Sequence, residues 1–196
     1  IFFKEFPRAH ILRFENRGRD VLPFLNIYRE IAGRGYRYLC KIHSKKSLHR
    51  KDGGLWRINI LDKLLGTPQQ IAKVKTLFDS DPKIGIVAPD GYLISNQIHW
   101  ANSAERIKRL SRKANIPWDN DEFFFAAGTM FWFRPEALQS VFDLDLTEGD
   151  FEKESGQVDG TLAHVMERFF CFGAIKSGYR ITTVEQEWKR KDSGQH

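Results

Sequence analysis

Cysteine is scarce in this chain. Its 196 residues hold two, Cys40 and Cys171, each inside an apolar run, a placement that favours buried reduced thiols and with them a cytoplasmic context. Long hydrophobic runs are missing as well. No stretch approaches the roughly 18 apolar residues that a membrane-crossing helix requires. No secretory leader is visible, and the first residue is Ile rather than Met, so a preceding portion of polypeptide is expected. Acidic residues are in deficit, with 25 Asp and Glu against 31 Lys and Arg, a net charge of +6. That balance favours an anionic partner: nucleic acid, a phosphorylated small molecule or an acidic lipid surface.

The cations are clustered. Lys41, Lys45, Lys46, Arg50 and Lys51 fall with His43 and His49 in one stretch that has no acid before Asp52. A second group, Arg106, Lys108, Arg109, Arg112 and Lys113, alternates with Ile107 and Leu110, the pattern of a solvated face on an amphipathic helix.

Periodicity divides the chain into alternating strands and helices. Ala9–Phe14 is a short apolar strand and Asn16-Arg17-Gly18 a turn. Val21, Phe24, Leu25, Tyr28 and Ile31 then recur at helical spacing, and 36–42 reads as a buried strand. This strand–helix–strand order predicts a parallel βαβ unit. Helices follow between Gly54 and Gly66, from Thr67-Pro68 to about Phe78, and over 103–114, 135–142 and 158–177, with strands at 83–89, 122–133 and 179–185. The expected fold is a three-layer α/β sandwich with a mainly parallel sheet. Residues 1–188 should form a single domain and 189–196 a disordered tail. In such sheets ligands bind beyond the carboxyl ends of the strands, where His43–Arg50 falls.

Four stretches, "ENRGRDVLPFL", "KIHSKKSLHR", "AAGTMFWFRPEAL" and "GQVDGTLAHVMER", resemble in order the rhamnan-synthesis protein F family of polysaccharide-assembly proteins, taken to be rhamnosyltransferases. The resemblance spans about Phe6 to Val184 and implies the GT-A fold of nucleotide-diphosphosugar transferases. It implies transfer of a deoxyhexose, rhamnose above all, from a nucleotide-diphosphate donor to a surface polysaccharide or lipid-linked glycan. The setting would be cytoplasmic, at the inner face of the membrane where peripheral contact is available, with no nucleic-acid partner. The alternative is a non-catalytic sugar- or nucleotide-binding scaffold within a larger assembly.

Two departures from the GT-A pattern carry mechanistic content. Where that fold places a metal-binding Asp-x-Asp, this chain reads Lys41-Ile42-His43-Ser44-Lys45-Lys46. His43, Lys45, Lys46 and Arg50, with Asn16, Arg17 and Asp20 of the turn, are then expected to hold the donor diphosphate, the alternatives being a polar cap on the sheet for His43 and a helix N-cap for Asp20, and no cofactor or divalent metal is called for. The literal strings Asp119-Asn120-Asp121 and Asp143-Leu144-Asp145 read as turn and capping residues. The chain also lacks the first strand and loop that hold the nucleotide base and ribose in that fold. For the acceptor, the resemblance points to Asp159 as general base, with helix capping as its plain alternative. Glu167 reads as an ion-pair partner or as a group that supports the site from behind. Gly128, Thr129, Trp132 and His164 are placed on the acceptor side, core packing being the alternative for Trp132 and a buried structural role for His164.

Overall fold

A computed structural model describes residues 2–44, 53–99, 104–119, 121–157 and 159–187. Lys45, Lys46, His49, Arg50, Trp100 and the tail lie outside them. The elements in order are α1 (Phe2–Glu5), α2 (Val21–Ile31), β1 (Leu39–Lys41), α3 (Gly53–Leu65), α4 (Pro68–Ser80), β2 (Ile84–Val87), β3 (Leu93–Ser95), α5 (Ala104–Lys113), β4 (Phe124–Ala126), β5 (Phe131–Phe133), α6 (Gln139–Phe142), α7 (Leu162–Lys176) and β6 (Arg180–Thr182).

The larger sheet has the order β1-β5-β2-β6. Only β2–β6 is parallel; β1–β5 and β2–β5 are antiparallel. The expectation of a mainly parallel sheet is therefore corrected to a mixed one. The antiparallel member is β5, from the stretch 122–133 expected as one interrupted strand. That stretch splits at 127–130 into β4, which pairs antiparallel with β3 in a separate ribbon, and β5, which enters the main sheet. The expected βαβ unit is absent too: Ala9–Phe14 forms no strand, and Ile11, Leu12 and Phe14 are exposed.

Side-chain alternation along β5 assigns the two faces of the sheet. Phe131 and Phe133 meet α2 and α7, with ring centroids of Phe131–Phe170 at 5.7 Å and Phe24–Phe133 at 5.6 Å. Trp132 points the other way and donates its indole N–H to Leu64 O of α3 at 3.0 Å. Beside it, Val74, Leu77 and Phe78 of α4 pack on Ile84 and Val87. Helices thus cover both faces. The amphipathic reading of 103–114 holds in α5, where Ile107 and Leu110 are buried while Arg109, Arg112 and Lys113 are exposed.

Local signals explain several boundaries. Gly18 adopts φ +63°, and a Cβ there would sit 2.7 Å from Leu22 Cβ and 2.8 Å from Phe151, so the Asn-x-Gly turn requires its glycine. Thr67 caps α4, its hydroxyl accepting the Gln70 N–H at 3.1 Å, with Pro68 opening the helix. Replacing Thr67 with Ala is expected to cost about 1 kcal/mol, measurable as a lower urea midpoint at unchanged slope.

Candidate functional site

Lys41 ends β1 on the same face as Leu39, directed at the start of α2, and its side chain is 3% exposed. A lysine this deep needs a counter-ion and full hydrogen bonding. It finds both. Its ammonium donates to Asp20 Oδ2 at 2.5 Å, to Thr129 O at 2.8 Å and to Thr129 Oγ1 at 3.1 Å, while the Thr129 hydroxyl donates to Asp20 Oδ2 at 2.5 Å. Asp20 occupies the N-cap position of α2 but makes no capping bond with its side chain. Its carboxylate is committed to Lys41 and Thr129 instead.

Burial alone would raise the Asp20 pKa. The charges of Lys41 and His43 and the hydrogen bonds from Lys41 and Thr129 overcome it and hold the group at about 2. Burial likewise pulls the Lys41 ammonium below its ordinary value, against the pull of Asp20. The arrangement is a buried ion pair.

The turn between β4 and β5 gathers four side chains on two residues. Thr129 bonds Lys41 and Asp20. The Gly128 N–H donates to Glu167 Oε1 at 2.6 Å, and Gly128 O lies 2.7 Å from His43 Nε2, which therefore carries a proton. His43 Nε2 is 4.0 Å from Asp20 Oδ2. Both turn residues are left-handed, Gly128 at φ +82° and Thr129 at φ +52°, as is Arg19 at φ +55°. A β-branched residue in that region is strained, and such strain persists where the surroundings over-determine it. Burial raises the Glu167 carboxyl above its ordinary range, with Asp20 adding to the rise against the Gly128 bond, Arg168 and Lys41. Of its two expected roles, Glu167 takes that of a supporting group, held to the turn through the Gly128 N–H.

A second group adjoins the first through the chain itself, because Arg19 precedes Asp20. The Arg19 guanidinium bonds His164 Nε2 at 2.7 Å and Gln157 O, and lies 3.7 Å from Glu154. Arginine only donates, so His164 Nε2 faces a donor, while Nδ1 lies 2.8 Å from Thr161 Oγ1 and 3.3 Å from the Thr161 backbone nitrogen. Asp159, half exposed, stands 4.0 Å from that Nδ1. The helix N-cap is Thr161 rather than Asp159.

The other expected site residues are dispersed. Asn16 is exposed. Arg17 turns away to Glu148, bonding its carbonyl at 3.1 Å. Trp132 lies on the opposite face of the sheet, and Lys45, Lys46 and Arg50 fall outside the described residues. Asp119 pairs with Lys176 and accepts the Asp121 N–H at 3.3 Å, Asp143 accepts from Gln139 at 2.7 Å and Asp145 pairs with Arg29 at 3.0 Å. Among the described residues no three His, Cys, Asp or Glu are grouped to hold a metal ion, and no helix is long and apolar enough to cross a membrane. Both cysteines are free, and burial pushes each thiol up to about 12.

Comparison with known proteins adds lineage to this geometry. A family model described as rhamnan synthesis protein F (RgpF) matches residues 3–179. Two curated proteins from strains of Xanthomonas campestris pv. campestris, each named uncharacterized protein WxcX, are 40% identical over 179 residues. The match covers 91% of this chain and 26% of theirs, so the chain spans about a quarter of their length. No solved structure matches.

Proposed function

The chain belongs to the rhamnan synthesis protein F family, and from that premise we propose that it is the core of a glycosyltransferase of polysaccharide assembly. In this reading it moves a deoxyhexose, rhamnose being the family's namesake sugar, from a nucleoside-diphosphate donor to a glycan acceptor. The observation that carries the reading is the convergence of Asp20, Lys41, His43 and Glu167 on the strained Gly128–Thr129 turn at the end of β1. A polar constellation this buried and held to one turn by this many hydrogen bonds is pre-organised, which is what stabilising charge at a reacting centre demands.

The chemistry divides between the two adjoining groups. As the donor C1–O bond breaks, the diphosphate leaves with the bonding pair, and its charge falls to cations beyond β1: His43, with Lys45, Lys46 and Arg50 following in the chain. The acceptor oxygen bonds to C1 and gives its proton to Asp159, whose neighbour His164 is oriented by Arg19 and Thr161. Lys41 has no part in gripping phosphate, because its ammonium is already spent on Asp20 and Thr129. It fixes the turn. The exposed Arg109, Arg112 and Lys113 of α5 would meet an anionic membrane bearing a lipid-linked acceptor.

Thermal shift with a panel of nucleoside diphosphates, with and without magnesium or manganese, tests the donor half. A ligand at a hundred times its Kd should stabilise by about 2.7 kcal/mol, without metal, and a Lys45→Ala/Lys46→Ala variant should lose the shift. Stabilisation that needs metal would overturn the cationic-mouth account. Asp159→Asn is expected to abolish transfer while leaving that shift intact; retained turnover would remove Asp159 as the base.

A further inference from the structure

Two arginines meet on one residue. Arg19 reaches His164 from the turn before α2, its Nη1 2.7 Å from the imidazole Nε2. Arg168 reaches it from one turn further along α7, its Nη1 donating to the His164 carbonyl at 2.7 Å. Each arginine has a buried Nε that makes no hydrogen bond. Two cations drawn to one residue repel one another and call for anions, and the anions at hand are spent unevenly. Glu154 lies 3.7 Å from Arg19 Nε. Asp159 stands 4.0 Å from His164 Nδ1, and Glu167 gives its Oε1 to the Gly128 N–H. No described carboxylate pairs with Arg168, although it is only 5% exposed.

Other arginines of the fold are better served. Arg106 and Arg180 are more exposed, yet each bonds a carboxylate. Arg134 has no carboxylate but spends its guanidinium on the carbonyls of Phe78, Asp81 and Ile84. Arg168 has one carbonyl and the face of the Phe125 ring, 5.1 Å from its Cζ. A guanidinium carries five N–H donors in a fixed fork, and burying them without partners is costly. What Arg168 leaves unused is the edge formed by Nε and Nη2, two parallel donors that match two oxygens of a carboxylate or phosphate. The bond from Nη1 and the Phe125 ring hold that fork in place in advance. We propose that Arg168 binds an oxyanion, a carboxylate or a phosphate, carried by the glycan acceptor. A single residue, His164, separates Arg168 from Asp159, so one acceptor can give its hydroxyl to Asp159 and its acidic group to the fork. An uncharged acceptor would leave the guanidinium buried and unpaired, and is selected against. The assignment to the acceptor rests on the transferase reading; the oxyanion site rests on Arg168 itself.

The arginine Nε–H resonances of the isotope-labelled protein, titrated with methyl phosphate, methyl glucuronide and uncharged methyl glucoside, test the site without turnover. One of the two anions is expected to move the Arg168 Nε–H signal downfield to saturation, while methyl glucoside leaves it in place. A response to methyl phosphate assigns a phosphate-bearing acceptor, and a response to methyl glucuronide an acidic sugar. Arg168→Lys keeps the charge but loses the parallel donors, and should weaken that binding by about tenfold or more. No movement with either anion would overturn the proposal, and so would movement no tighter than that of the exposed Arg109 and Arg112. Because the signal is read in the unaltered protein, a variant that folds poorly does not spare the proposal. An anion bound at Arg168 in a protein that no nucleoside diphosphate stabilises would sink the transferase reading and leave the oxyanion site standing.

Discussion

Lys41→Met is expected to destabilise the protein by about 3 kcal/mol at neutral pH, the lower end of the 3–5 kcal/mol range for breaking a buried ion pair. Methionine keeps the apolar stem of Lys41 but leaves Asp20 ionised with its strongest partner gone. The lower end applies because 18% of the Asp20 side chain stays exposed and the Thr129 hydroxyl still bonds it. The double variant Asp20→Asn/Lys41→Met should recover most of the loss, since it removes the uncompensated charge, and a four-variant cycle by urea denaturation measures the coupling. Additive costs would show that the pair is not an energetic unit.

The same pair sets an acid limit. The folded pKa of Asp20, about 2, lies below its unfolded value of 3.8. Its contribution is therefore fully present above the unfolded value and is lost as pH falls through the folded one. The gap between wild type and Asp20→Asn should narrow as pH falls through that window. A gap unchanged at pH 2 would mean that Asp20 does not carry the charge assigned to it.

What the sequence shows and what it hides follow from the range of each signal. The α4 cap, the inward face of α2 and the need for Gly18 are local, and Thr67, the Val21–Tyr28 spacing and the Asn-x-Gly turn display them. Asp20 was legible as a polar residue at a helix start, but its partner Lys41 is a strand away, and only a lone lysine within "YLCKI" hints at a buried charge seeking one. Glu167 was legible as a group supporting the site, but its partner was not, because it binds a backbone N–H, which no side-chain pattern records. The division of 122–133 was hidden for a related reason: an apolar run broken by glycine reads alike whether one strand bulges or two strands enter different sheets. Trp132 could have been placed better, since strict alternation in Phe131-Trp132-Phe133 sends the indole away from the face that bears Lys41.

Gly128→Ala concentrates these dependencies in a single methyl group and is expected to cost about 2–5 kcal/mol, from about 1–2 for a left-handed alanine and 1–3 for overpacking. A Cβ at Gly128 would lie 2.3 Å from Trp56 Cη2 and 3.0 Å from Cζ2, and the ring is held against Tyr92 at a centroid distance of 5.8 Å. Something must shift, and whatever shifts drags a peptide whose N–H is bound to Glu167 and whose carbonyl is bound to His43. Trp56→Phe, which deletes the outer ring atoms, should restore the packing share when combined with Gly128→Ala but not the backbone share, so the double variant should still fall about 1–2 kcal/mol below Trp56→Phe alone. Full rescue would mean that the left-handed turn carries no strain. No rescue would mean that the methyl group is resisted by the turn itself, with Lys41, Asp20, Glu167 and His43 gripping it too firmly for the indole to matter.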